Sequence, residues 1–490
     1  MWTFTTSCER RLLYEAECRY DECCREDETK EFLHNFWTRR VYKKLIFLQI
    51  FFISIGFEWK KFGVLYFFHS IMILILIFIK PMQFRAHNPS SKSSIAHIRE
   101  ALKIESINPY STPYASLSLP YDTSLLEIPW EIMDADILVL IGIGGSNLGT
   151  LAVLDALRMR NTKTKELISL DTVDTYDIQN VDAYLTQSID AWKKVVLTAI
   201  SKSGRTAETI GIFEYFYTKY QNYTTQIFPV TISDPDSALD ELSKKEWWTH
   251  YNLPKNVGGR YSVLSHVGLF PLIWMGVDIS EIQKWARSAL EDYSRNEENH
   301  PSTIVAQTLS DRYNEWRNIF EHFFFAKNLE NLGKWYRQLL AESVGKIWKD
   351  GKSVGITPTT SIGTTDLHSV AQLDLAHVSD RTLAIVSLSN APILRIPNAP
   401  FDSLVENIRG KSFADLMEWA RYGLTSSLET KDISYFEYEL KADSASDIGY
   451  FLQVKMLEVI LLGLSFDINP FDQPNVEDYK IGMREYLQQQ

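Results

Sequence analysis

Between residues 136 and 232, short apolar runs alternate with stretches whose hydrophobic positions recur every three or four residues. Ile137-Leu138-Val139-Leu140-Ile141, Leu167-Ile168-Ser169-Leu170, Val195-Val196-Leu197-Thr198-Ala199-Ile200 and Ile227-Phe228-Pro229-Val230-Thr231-Ile232 have the length and β-branched content of buried strands. Ile210, Phe213, Phe216 and Tyr217, after the third run, fall at helical spacing. Strands alternating with helices predict a parallel sheet covered on both faces, with ligands at the carboxyl ends of its strands. A second alternating unit is expected from 347–356, through Thr382-Leu383-Ala384-Ile385-Val386, into late helices. Upstream, Asn108-Pro109 and Leu119-Pro120 mark turns, and a helix is expected around 94–104. The expected order is therefore an extension (1–81), a helical lead-in (82–130), an α/β domain (131–278), a helical connection (279–325) and a second α/β domain with C-terminal helices (326–490).

Three loops carry candidate chemistry. Ser201-Lys202-Ser203-Gly204-Arg205-Thr206 joins a predicted strand to a predicted helix, where free backbone N–H groups and the helix dipole favour an anion. A phosphate suits its hydroxyls and lysine; simple helix capping by the same hydroxyls is the other reading. The loop lacks the leading glycine and the Gly-Lys-Ser/Thr run of a Walker A motif. Gly142-Ile143-Gly144-Gly145-Ser146-Asn147-Leu148-Gly149 has Asn147 where a dinucleotide fold wants its third glycine, and its strand-end acid, Asp171, comes late. A polar or sugar-phosphate ligand fits this turn better than NAD. In Val257-Gly258-Gly259-Arg260-Tyr261-Ser262 the paired glycines allow close backbone approach and present Arg260; a surface turn with a solvated arginine is the alternative.

In the second half, Gln338 and Glu342 fall one turn apart on a predicted helix. Leu339, Leu340 and Val344 surround Glu342, and a partly desolvated carboxylate would suit a general base, whereas a solvated glutamate is the plainer reading. The hydroxyl-rich turn 361–369 contains His368, either a proton-transfer group or a structural histidine. Phe471-Asp472-Gln473-Pro474 breaks the chain before a short helix bearing Lys480, which spacing alone would leave exposed.

Composition narrows the picture. Hydrophobic residues at 45% with 23% charge describe a globular chain of 490 residues. A formal net charge of −12 argues against broad nucleic-acid binding and requires a local basic site for any anionic substrate. Cys8, Cys18, Cys23 and Cys24 are the only cysteines and do not match a zinc spacing, so no metal site is expected. The apolar runs 45–57 and 62–79 are split by Glu58-Trp59-Lys60-Lys61, with Arg39, Arg40, Lys43 and Lys44 before them and Lys80 after. The second run is just long enough to span a bilayer. Membrane contact through 45–79 and a translation start at Met82 both stay open as readings.

The segments 141–149, 201–209, 258–262, 338–346, 364–372 and 469–480 stand in the order and approximate separations of phosphoglucose isomerase (glucose-6-phosphate isomerase), and from about Ser94 onward the chain resembles that family. The resemblance implies two sugar-isomerase (SIS) domains, each an αβα sandwich with a parallel sheet, in a cytoplasmic homodimer with shared active sites and no cofactor or metal. It implies that Gly145, Ser146, Ser201, Lys202, Ser203, Thr206, Gln338 and Gln473 bind a sugar phosphate. It implies further that Glu342 is the proton-shuttling base and Arg260 stabilises the enediolate. His368, supplied by the neighbouring subunit, and Lys480 would open the sugar ring. Ser203-Gly204 departs from the threonine and bulkier residue common in the family, and 346–361 departs from its usual connection. A bifunctional phosphoglucose/phosphomannose isomerase would share this residue set; a non-catalytic sugar-phosphate sensor would not need Glu342, Arg260 and His368 together.

Overall fold

The computed structural model describes residues 81–489 apart from 93–96, 123–126, 349, 377–379, 398–403 and 406. The four cysteines and the apolar runs at 45–79 lie outside the described residues. Strand β1 (Gln83–His87), helix α1 (Arg99–Ile107) and the short α2 (Trp130–Met133) precede the first sheet. That sheet contains β2 (Ile137–Ile141), β3 (Glu166–Leu170), β4 (Val195–Ile200), β5 (Ile227–Ser233) and β6 (Thr249–Asn252). They are connected in turn by α3 (Leu148–Ala156), α4 (Thr175–Asp190), α5 (Ala207–Tyr220) and α6 (Ala238–Glu246). Every pairing is parallel and the spatial order is β3-β2-β4-β5-β6.

Helices α7 (His266–Trp274), α8 (Ile279–Arg295) and α9 (Pro301–Tyr313) lead to the second half. There β7 (Ile319–Phe324) is followed by α10 (Glu330–Val344), the two-residue ribbon of β8 (Lys346–Ile347) and β9 (Ser353–Val354), and β10 (Thr357–Ile362). Then come α11 (Ala371–Leu375), β11 (Arg381–Ser389), α12 (Phe413–Thr430), β12 (Tyr435–Lys441), α13 (Ala445–Ser465) and α14 (Val476–Gln488). The second sheet runs β1-β12-β11-β7-β10, parallel except for β1.

Alternation along the strands divides the interior into layers. Leu138 and Leu140 of β2 face a central core, while Ile137, Val139 and Ile141 face an outer core built on α4 and α5. Strand β7 repeats the division, with Phe320 and Phe324 inward and Phe323 outward against Leu424 and Leu428 of α12. Residues of both sheets share the central core, so the two sandwiches pack through a common layer rather than across a linker. Helix α13 runs through it. Its length and hydropathy would suffice to cross a membrane, but 89% of its apolar window is buried, as expected of a helix apolar on all sides within a core.

Two segments differ from expectation. Residues 83–87, expected in the helical lead-in, form β1, the antiparallel edge strand of the second sheet. Residues 319–324, expected in the helical connection, form β7, which lies between β11 and β10. Glu321 and His322 interrupt the apolar run of β7 and hide its strand character. Glu321 is nevertheless buried because Ser361 and Arg381 bond to it, at 2.5 and 3.2 Å.

Candidate active site

Strands β2 and β4 are neighbours, but the chain leaves them in opposite directions along the sheet, toward β3 and toward β5. The loops at their carboxyl ends therefore diverge and open a crevice, the usual ligand position in a doubly wound sheet. Helices α3 and α5 begin at this crevice with Asn147 and Thr206 at their N-caps, and neither side chain caps its helix. The flanking helices α4 and α6, by contrast, are capped by Asp174 and Ser237. Thr206 Oγ1 lies 2.8 Å from Ser201 Oγ, which also accepts the Thr206 N–H at 3.3 Å. The hydroxyls thus order the loop without capping α5, and its first N–H groups suit an anion. Gly204 takes the left-handed φ of +65° that turns the chain back. Lys202 Nζ donates to the carbonyl of Val257 at 2.9 Å, tying this loop to the Arg260 turn.

The glycine loop meets the same turn. An ideal Cβ at Gly145 would lie 2.2 Å from Gly259 O and 2.7 Å from Arg260 N, so only glycine permits this approach. The Arg260 side chain is 1% exposed and every part of its guanidinium is engaged. Nε donates to Ser343 Oγ at 2.7 Å, and Nη2 donates to the carbonyls of Pro470 and Asp472 at 2.7 and 2.9 Å. Nη1 donates to Gln473 Oε1 at 3.0 Å and reaches Glu342 Oε2 at 3.4 Å. Tyr261, whose hydroxyl lies 2.9 Å from Ser343 Oγ, is pushed up in pKa by burial.

Glu342 sits in the last turn of α10 with its side chain 24% exposed. Gln338, one turn earlier, donates Nε2 to Glu342 Oε1 at 3.0 Å while its own Oε1 is buried without a protein partner. A Cβ at Gly144 would meet Gln338 Nε2 at 2.7 Å, so Gln338 lies directly against the glycine loop. A partly accessible carboxylate beside a fixed guanidinium can take a proton from carbon while the cation stabilises the oxyanion that forms.

The phosphoglucose isomerase family model matches residues 132–378, half of the chain. The chain is 30% identical over 370 residues to the glucose-6-phosphate isomerase of Streptococcus pneumoniae (strain Hungary19A-6), spanning 71% of this chain and 80% of that protein. The chain belongs to the phosphoglucose isomerase family. Among solved structures, a hypothetical protein of Thermus thermophilus superposes with a TM-score of 0.71 at 28% identity, covering 79% of this chain and 93% of that one. A glucose-6-phosphate isomerase from Chlamydia trachomatis shares the fold, with a TM-score of 0.60 at 18% identity over 81% of this chain and 76% of that one.

In this member of the phosphoglucose isomerase family, the structure brings Glu342, Arg260, Gln338, Gln473 and Gly145 into direct contact or close approach. Ser146 lies in the same turn as Gly145, and Ser201, Lys202, Ser203 and Thr206 form the facing loop; Ser203 Oγ accepts from Arg205 N at 3.3 Å. His368 and Lys480 are not joined to Glu342 or Arg260 by any described contact. His368 is exposed on the turn after β10, and Lys480 Nζ pairs with Glu477 Oε1 at 2.8 Å on α14. Sequence reasoning assigned no role to Ser343, Lys346, Pro470 or Asp472, which hold Arg260 and the end of α10. Apart from the Lys346 bond to Glu342 O, the contacts that hold them span 83 to 212 residues of sequence, so no local signal marked them.

Proposed function

We propose that this crevice interconverts glucose 6-phosphate and fructose 6-phosphate through ring opening and a cis-enediol(ate). The observation that carries the reading is Arg260 Nη1 standing 3.4 Å from Glu342 Oε2, at the edge of a crevice lined by Gly145 and Gln338. In the aldose-to-ketose direction Glu342 takes the C2 proton and returns it to C1, while O1 gains and O2 loses a hydroxyl proton. Arg260 stabilises the negative oxygen that develops between these steps. The Ser201, Lys202, Ser203 and Thr206 loop holds the phosphate, and Gly145, Ser146, Gln338 and Gln473 orient the sugar. Lys202 and Arg260 supply the local positive charge that an acidic protein needs to attract this substrate.

His368 and Lys480 are assigned to ring opening. The exposure of His368 on the turn after β10 supports its donation to the crevice of a second copy in a homodimer. The same reading places the protein in the cytoplasm, tethered if 45–79 enter a bilayer.

Turnover of fructose 6-phosphate, together with solvent deuterium exchange into it, tests the assignment. Wild type is expected to do both, and Glu342→Gln to lose roughly 10²- to 10⁴-fold in rate. Equal rates for the two would reject Glu342 as the base. Binding of fructose 6-phosphate by wild type without exchange would mark a sensor, and turnover of mannose 6-phosphate would extend the activity to the epimer.

A further inference from the structure

Lys346 follows α10 by two residues, and its side chain is only 5% exposed. Lysine is seldom buried, because an ammonium gives up strong hydration on burial and must be well paired to offset that loss. Its Nζ donates to Glu342 O at 2.8 Å and to Asp472 O at 2.5 Å, and lies 3.0 Å from Asp472 Oδ1. Asp472 O also accepts from Arg260 Nη2, and Arg260 Nη1 reaches Glu342 Oε2. The contacts close a ring: Glu342 main chain, Lys346, Asp472 main chain, Arg260, Glu342 carboxylate. Three of its links end on main-chain carbonyls, which cannot swing away as side chains do. Glu342 O is among the last carbonyls of α10, which lack intrahelical donors and which a cation complements.

We propose that Lys346 is a positioning residue that fixes the last turn of α10 against the 470–473 loop and so holds Glu342 and Arg260 in register; this rests on the assignment of Glu342 as base. Burial draws the Lys346 pKa down and Asp472 opposes that pull, so the ammonium depends on the same loop that it anchors. Lys346 touches no reacting atom. Its effect on the reaction runs through the two residues that do.

The test compares wild type, Lys346→Met and Lys346→Arg for kcat, KM and the primary isotope effect with glucose 6-phosphate deuterated at C2. In Lys346→Met, kcat is expected to fall about 10- to 100-fold, the scale of an ångström of misplacement, while KM stays within about threefold. The isotope effect should rise as proton transfer becomes the slow step, and Lys346→Arg should recover most of kcat. A lower melting temperature with kcat, KM and isotope effect all as in wild type would overturn the proposal. So would equal defects in the Met and Arg variants. Should Lys346→Met fail to fold, Asp472→Ala removes one of the three contacts and is expected to show the same split at smaller amplitude; no change in kcat would overturn the idea. Glu342→Gln in the same assay keeps the two claims apart. If it is inactive while Lys346→Met is normal, only the Lys346 role fails; if it is as active as wild type, the base assignment fails.

Discussion

Gly145→Ala tests the closest approach in the crevice. The added methyl would meet Gly259 O at 2.2 Å, Gly259 C at 2.3 Å and Arg260 N at 2.7 Å. Comfortable carbon contacts lie at about 3.5 Å, so the two turns must part by roughly 1 Å. All three obstructing atoms belong to the main chain, and no side-chain rotation relieves them. Overpacking of this kind costs about 1–3 kcal/mol. Because Arg260 N is one of the obstructing atoms, the displacement passes to the guanidinium, and an ångström of misplacement costs roughly 10²-fold in rate. Urea unfolding and fructose 6-phosphate turnover read the two effects separately. Gly259→Ala, across the same contact, is the stability control: nothing lies within 4 Å of its Cβ, and its unfolding free energy should stay within about 0.5 kcal/mol of wild type. The reasoning is refuted if Gly145→Ala matches wild type in both measurements, or if Gly259→Ala loses as much stability.

Two further outcomes concern the second half. Burial pushes the Glu321 carboxyl up to about 7 from its ordinary 4.5, and neighbouring Asp374 moves up for the same reason. Between those values the native state holds more protons than the unfolded chain, so stability should fall as pH rises from 4.5 to about 7, by up to roughly 3 kcal/mol, and then level. Urea unfolding across that range should show a shallower slope for Glu321→Gln; identical slopes would contradict the account. In α13, the Lys455 and Glu458 side chains are 0% exposed and 2.9 Å apart, with the Tyr336 and Tyr438 hydroxyls also bonded to Glu458. Lys455→Met strands a buried carboxylate and should cost about 3–5 kcal/mol, most of it recovered when Glu458→Gln is added. A double variant no more stable than the single would show that the pair is not the source of the loss.

The segments legible in the sequence were those whose physics is local. Strand β4 has six consecutive buried residues, and the hydroxyl loop follows it directly, so the strand, the loop and the start of α5 could all be read from neighbours. Gln338 and Glu342 share a helix face by spacing alone, and the structure indeed joins them. Strand β1 was hidden because its pairing partner, β12, lies some 350 residues later in the chain. Strand β7 was hidden because Glu321 is tolerated inside only through Ser361 and Arg381, 40 and 60 residues away.

By itself, then, the sequence determined an alternating α/β architecture, the loops at the carboxyl ends of β2 and β4, and the residue types suited to a sugar phosphate. Only the tertiary structure decided that Arg260 is buried rather than solvated, that its guanidinium meets Glu342 and a loop 210 residues further on, and that Lys346 closes the ring. Periodicity reports which face of an element turns inward. It carries no information about which distant carbonyl waits there, because that choice is made when the two sheets pack around their common core.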